Sequence, residues 1–210
     1  LADIVNTQHQ LGMDLEDDLG GLFFTDINEL ETQFRRVIPN EQNATPKDRV
    51  VGLEIVDVTQ LTTDEYTLSI RGPSVNDVIV ENALTGELVT TATLPGVFPA
   101  EIEFAGLRVN MQSGSFQVGD QFLLTPTREG GRNLELSTVR VEDIALASPV
   151  RTEADLGNIG NARISQGEML AVRAVTNNDI LPTWQEPGEM TPPILIRFIT
   201  DDYYQVLDNS

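Results

Sequence analysis

His9 is the only histidine of the chain, so a hydroxyl nucleophile with an imidazole base would have to be built around it. No glycine-flanked serine of the nucleophile-elbow kind occurs. His9 instead falls one turn after Val5, near the end of a helical pattern, where a polar or cationic ring complements the carbonyl end of a helix. A structural role is the expectation for it. Asp14, Glu16, Asp17 and Asp18 supply the oxygens for calcium but in the wrong order. Counted from Asp14, the glycine position of a calcium loop is Leu19 and the bidentate glutamate position is Thr25, so a solvated acidic turn is expected. The run Gly157-Asn158-Ile159-Gly160-Asn161 lacks the lysine and the Ser/Thr-capped helix of a phosphate loop. Trp184, among Pro182, Pro187, Pro192 and Pro193, is able to stack on a sugar or a partner, or to anchor a linker. The 33 acidic residues guarantee some carboxylate pairs at glycosidase separations, so such pairs carry no weight here. No catalytic, cofactor-binding or metal-binding residue is assigned, and the chain is read as non-enzymatic.

The totals narrow the field further. Cysteine is absent, which removes thiol chemistry, cysteine-ligated zinc and iron–sulfur sites. Thirteen Lys and Arg against 33 Asp and Glu leave a charge of −20, and Lys47 is the single lysine. A phosphate backbone is bound by clustered cations that displace its counterions, and no stretch offers them, so nucleic acid is not an expected partner. An anionic membrane surface is not an expected partner on the same ground. No apolar run approaches the ~20 residues of a membrane span, and no basic segment followed by an apolar core marks a cleaved signal peptide. The acidic surface keeps copies apart by repulsion or meets a basic partner. At 210 residues and 40% hydrophobic composition, the chain has enough apolar material for a core without disulfides.

These residues have to be positioned by secondary structure that reads mainly as short strands. In 101–126, Ile102 and Phe104 alternate with Glu101 and Glu103, and Leu107, Val109 and Met111 with Arg108 and Asn110. Phe116 and Val118, then Phe122 and Leu124, follow after breaks at Ser113-Gly114 and Gly119-Asp120. Three or four strands with one dry and one wet face are expected, their polar residues in solvent and their glycines at the reversals. Val50 to Val58 and Tyr66 to Arg71 read as strands, and Val78-Ile79-Val80 with Leu88-Val89 flank a hairpin turn at Thr85-Gly86.

The chain opens inside a helix, without Met, with Leu1, Ile4, Val5, Gln8 and Leu11 at helical spacing and Gly12 as its stop, as though these were the last turns of a longer stem. The division expected is residues 1–24 as stem-helix end and acidic turn, 25–48 as an extended connector, and 49–149 as an antiparallel β domain, a sandwich or barrel-like unit projecting from a helical stem. Leu134 with Leu136 begins one more strand, and 141–148 is a short helix or turn. Residues 150–193 read as loop and linker, with 162–175 undecided between strand and helix, and 194–210 as the start of a further β unit or an added edge strand.

Five blocks, in order, resemble the flagellar hook-associated protein 1 family. Asn6, His9, Gly12 and Asp14, followed by Gly21, Leu22 and Phe23-Phe24, are similar to its N-x-x-H-x-x-G-x-D helix end and G-x-x-F-F. Asp64-Glu65-Tyr66-Thr67-Leu68 resembles its D-Y-x-V/I-x-F strand, Phe104-Ala105-Gly106-Leu107 its F-D-G-L turn, and Gly119-Asp120-Gln121-Phe122 to Pro126 its G-D-x-F-x-x-x-P. Ile144-Ala145-Leu146-Ala147-Ser148 resembles its I-A-x-A-S, and Ala105 stands where the family usually has Asp. The resemblance implies a structural, non-enzymatic component of the bacterial flagellum, extracellular and exported by the flagellar type III route without a cleaved signal peptide. It also implies assembly with other copies of itself and with neighbouring axial proteins (the hook and the second junction protein), with an export chaperone as a transient partner. No cofactor and no membrane insertion are implied, and the isolated piece is expected to be monomeric. The alternative is an extracellular β-domain that binds carbohydrate or a host surface through loops around Trp184 or the acidic turn. A third reading, an acid-pair hydrolase, singles out no residue.

Overall fold

The computed structural model describes residues 1–132, 134–161, 164–174, 179–181, 194–200 and 202–208. In chain order its elements are α1 (Ala2–Gln10), α2 (Leu30–Arg35), β1 (Val37–Pro39), β2 (Val50–Ile55), β3 (Tyr66–Ile70), β4 (Asp77–Asn82) and β5 (Leu88–Thr93). These are followed by β6 (Ala100–Phe104), β7 (Leu107–Ser113), β8 (Gln121–Leu124), β9 (Ile194–Phe198) and β10 (Tyr204–Asp208). The chain divides into two compact units, Thr25–Glu135 on the one hand and Leu1–Phe24 with Leu136–Ser210 on the other.

Unit Thr25–Glu135 is an antiparallel, sandwich-like β structure. A five-stranded sheet runs β1-β8-β3-β4-β5 and a three-stranded sheet β2-β7-β6. Alternation decides which side chains meet. Ala100, Ile102 and Phe104 of β6 are buried while Glu101 and Glu103 between them are exposed. Leu107, Val109 and Met111 of β7 join Leu53 and Ile55 of β2, and Tyr66, Leu68, Ile70, Val78, Val80, Phe122 and Leu124 of the five-stranded sheet, in one core cluster. Full burial of each large apolar side chain contributes about 1.5–3 kcal/mol, so this cluster is the main source of the unit's stability. The β6–β7 hairpin turns on two residues, with Phe104 opposite Leu107 and both Ala105 (φ 46) and Gly106 (φ 74) in the left-handed region. A side chain at 106 would meet the Asp57 carbonyl at 2.3 Å, so glycine is required there for space as well as for φ.

Several expectations change at this level. Residues 25–48, read as an extended connector, carry α2 and β1, and β1 is an edge of the five-stranded sheet beside β8. The stretch 101–126 holds three strands, within the three or four expected, with Phe116 and Val118 in the loop between β7 and β8. Leu136 makes an isolated bridge to Phe24 instead of beginning a strand, while 141–148 contains a turn, one of the two forms expected there.

In the other unit, α1 is present where the helical spacing placed it, but its buried face is Ala2, Asn6 and His9. Ile4 is 64% exposed and Leu1 80% exposed, so the apolar stripe points outward and the polar pair inward. The hairpin β9–β10 forms its own two-stranded sheet, with Phe198 opposite Tyr204 and Ile196 opposite Val206. Residues 182–193, with Trp184 and the proline-rich linker, lie outside the described residues, as do 162, 163 and 175–178 of the undecided segment.

Candidate structural junction

A helix that buries asparagine and histidine must give each a partner, since an unsatisfied buried polar group costs about 1–3 kcal/mol. Asn6 does so reciprocally. Its Nδ2 donates to the Phe24 carbonyl at 3.0 Å and its Oδ1 accepts from the Phe24 N–H at 2.7 Å. His9 uses both ring nitrogens. Nε2 accepts from the Ala145 N–H at 2.9 Å, so Nδ1 is the protonated nitrogen and donates to the Gly21 carbonyl at 3.0 Å. Its ring packs edge-on to Phe23 with centroids 5.4 Å apart. The imidazole thus pins three strands of chain together, namely the end of α1, residues 20–24 and residues 144–147. Among the described residues no hydroxyl or carboxylate bonds the ring, whose two nitrogens are both engaged with backbone groups.

The glycines of the motif follow from the closeness of those segments. A Cβ at Gly12 would lie 2.3 Å from the Ala145 carbonyl oxygen, and one at Gly20 would lie 2.0 Å from that of His9. The Gly20 N–H donates to the Gly12 carbonyl at 3.0 Å. Gly12, expected as the helix stop, directly follows the C-cap Leu11, whose φ and ψ are right-handed, and is needed there for this approach. Met13 and Ala147 exchange two backbone hydrogen bonds at 2.9 and 3.1 Å, which brings the Ile144 to Ser148 block alongside the helix end. Asp14 closes the acidic turn, its Oδ1 accepting from the N–H groups of Glu16 (2.8 Å) and Asp18 (3.0 Å). Arg140 reaches the turn through Glu16 at 2.7 Å, and that bond, with the charges of Asp143 and Glu16, raises the guanidinium above its ordinary pKa. The acidic residues are accordingly spent on turn closure and an exposed ion pair. Among the described residues no group of three metal-ligating side chains is arranged to hold an ion.

Unit Thr25–Glu135 repeats the asparagine device twice. Asn28 bonds both backbone groups of Ile55 (2.8 and 2.9 Å), and Asn43 both backbone groups of Gln121 (2.9 and 2.8 Å). In each case a side-chain amide bonds the N–H and C=O of one strand residue as a neighbouring strand would, and the Gln121 carbonyl also accepts from the Asn40 N–H at 3.0 Å. Asp120, expected in solvent at the Gly119-Asp120 turn, is 1% exposed. Its Oδ1 accepts from the Ala44 N–H and its Oδ2 from the Gln117 N–H. Arg49 Nε lies 2.8 Å from Oδ2 as an ion pair whose angle misses a hydrogen bond, and Arg49 Nη2 makes none. Nη1 bonds the carbonyls of Ala44 and Pro46. Arg36 is buried too, bonded to the Ile27 and Leu53 carbonyls and the Asn28 side chain, and burial lowers its pKa against the partial compensation of Asp26. On the outer face of the three-stranded sheet, Arg108 sits among Glu54, Glu101 and Glu103.

The sequence reading missed the asparagine clamps and the Arg49–Asp120 pair. The signal for the Asn6 clamp was the N-x-x-H-x-x-G spacing, which sets Asn6 and His9 on one helix face, and Asn28 and Asn43 lie outside that motif. The Arg49–Asp120 pair carries no local signal, because its members are separated by most of the domain.

No protein-family profile matches the chain, and no curated protein matches it. Among solved structures it is similar to the flagellar hook junction protein FlgK from Burkholderia pseudomallei, at 31% identity and a TM-score of 0.57 over 70% of this chain. The chain spans 24% of that protein's length. It also matches FlgL from Xanthomonas campestris, at 18% identity and a TM-score of 0.34 over 55% of this chain and 32% of that one, a likeness too distant to bear on the fold. The resemblance to flagellar hook-associated proteins read from the ordered motifs is therefore present in three dimensions as well.

Proposed function

We propose that this chain is a non-enzymatic, β-bearing segment of a bacterial flagellar junction protein, acting by shape and by placement in the assembled flagellum. The observation that carries it is the His9 junction. The motif residues shared with the hook-associated family are spent on backbone bonds that lock a helix end to two other segments, as a building block requires and a catalyst does not. The likeness to the hook junction protein FlgK supports the same reading. In it, the longer polypeptide is exported without a cleaved leader, with a chaperone, and meets further copies and neighbouring axial proteins outside the cell.

Antibody raised against the 210-residue chain tests this. Labelled flagella should show one band where hook meets filament by electron microscopy, and deletion of the encoding gene should abolish swimming while hooks remain. Label confined to the cell interior, or full motility without the gene, would refute it.

A further inference from the structure

Among the described residues the two sheets of unit Thr25–Glu135 have four edges, and three of them are guarded. β1 is three residues long and ends in Pro39. Along β2 the outward backbone is taken by side chains, Asn28 at Ile55 and Arg36 at the Leu53 carbonyl. β6 carries the exposed Glu101 and Glu103, and charge on an edge strand opposes the addition of another chain. β5 has no such device. Its six residues, Leu88 to Thr93, include neither charge nor proline, and past an irregularity at its Leu88 end it runs in even register with β4. The Leu94 N–H donates to the Asn76 carbonyl on the β4 side, so by alternation Thr91 and Thr93 direct their N–H and C=O groups away from the sheet. A second open edge lies in the other unit. The β9–β10 hairpin presents Ile194, Ile196, Phe198, Tyr204 and Val206 on one face, all of them exposed, and two strands alone are marginally stable. Among the described residues no strand pairs with the free edge of β5 or of β9.

We infer that the β9 edge of one copy adds to the β5 edge of another, extending the five-stranded sheet across the contact. Charge selects both the occupant and its direction. Arg197 is the only charged residue of β9, a cation in a chain of charge −20, and the exposed Glu87 stands beside the Leu88 end of β5. Antiparallel addition sets Arg197 toward Glu87 and Ile194 toward Thr93, an opposite-charge pair across neighbouring strands. Two β5 edges placed antiparallel would instead bring Glu87 of one copy toward Asp77 of the other, like charge against like. The β5 and β9 edges are different surfaces, so each copy can use both at once, and the contact repeats from copy to copy without a two-fold axis. It is also small. Five residues of pairing cover far less than the roughly 800 Å² per partner of a stable complex. Dilute chains therefore stay monomeric, and the edges meet where copies are held close, which rests on the assembly role proposed above.

The absence of native cysteine supplies the test. Leu88→Cys on one full chain and Ile199→Cys on a second, size-tagged one each place a single thiol, at the start of β5 and just past β9, where the native side chains are 57 and 49% exposed. Mixed at roughly millimolar concentration with a short bismaleimide, the two should form the mixed dimer at least about tenfold faster than either self-dimer. Adding Glu87→Arg to the first chain should remove most of that preference, and Arg197→Glu on the second should then restore it. Thr91→Pro on the first chain, which deletes an outward N–H and leaves the β4 ladder bonded, should abolish it. Equal mixed and self rates, or a preference indifferent to Glu87→Arg, would overturn the inference. So would Leu88→Cys self-dimers that outpace the mixed ones, which would assign the edge to β5 pairing with itself. None of these outcomes touches the labelling and motility test, so either reading is able to fail alone.

Discussion

Replacing His9 with alanine removes a strut whose loss is measurable at a single amide. The ring accepts from the Ala145 N–H and donates to the Gly21 carbonyl, and both bonds disappear. The Ala145 N–H, on a residue only 4% exposed, is left without an acceptor at a cost of about 1–3 kcal/mol. Losing the bond to Gly21 adds roughly 1 kcal/mol. A local destabilisation of about 3 kcal/mol corresponds to about a hundredfold increase in opening, because each 1.4 kcal/mol is a factor of ten. Native-state hydrogen exchange followed by NMR is the assay. The Ala145 amide should exchange about a hundredfold faster in His9→Ala, with Met13 and Ala147 also accelerated through their shared bridge. Amides of the sandwich core such as Leu68 should be unchanged. His9→Gln, which offers one acceptor but not the second bond in the same geometry, should recover part of the protection. An Ala145 exchange rate in His9→Ala within about threefold of the unsubstituted chain would show that the ring is not its acceptor and would remove the basis of the junction argument.

Asp120→Asn strips the charge from a buried pair and leaves Arg49 with only the more distant, partly exposed carboxylate of Asp48 at 4.0 Å, which should lower the stability of unit Thr25–Glu135 by about 3 kcal/mol in urea titration. The double variant Arg49→Met with Asp120→Asn should recover part of that loss, and a single variant no weaker than the double would contradict the pairing. Ala105 holds φ 46 at the first position of a two-residue hairpin turn, so Ala105→Asn should raise the thermal midpoint by the equivalent of about 1 kcal/mol; a lower midpoint would show that the local packing of the methyl outweighs the strain. The carboxyl of Asp48 is held below its ordinary range by the N–H and hydroxyl of Ser115, and that of Asp57 by the hydroxyl and N–H of Thr59 and by Gln60. Both bind protons less readily folded than unfolded, so their stabilisation is complete above the ordinary carboxylate value of about 4 and is lost as pH falls through the lower folded values. The midpoint should therefore drop on acidification below about pH 4, and less steeply in Asp57→Asn; identical slopes would exclude that carboxylate as a contributor.

Period-two alternation made β3, β6 and β7 readable from the chain alone, because a strand that buries one face must place apolar residues at every second position whatever lies opposite. The same holds for the turn at Ala105-Gly106, where backbone geometry limits the residues that fit. Helical spacing likewise marked α1. Which face of α1 is buried was not written in hydrophobicity: Leu1 and Ile4 point outward and Asn6 and His9 inward, since polar side chains go inside where another segment offers backbone groups to bond. That segment comes from far along the chain, and only folding brings it there. Burial of Asp120 beside Arg49 arises in the same way. Local sequence sets the period of an element and the chemistry of a turn, whereas the partner of a buried polar group, or of an exposed apolar one, is decided by contacts between residues tens of positions apart.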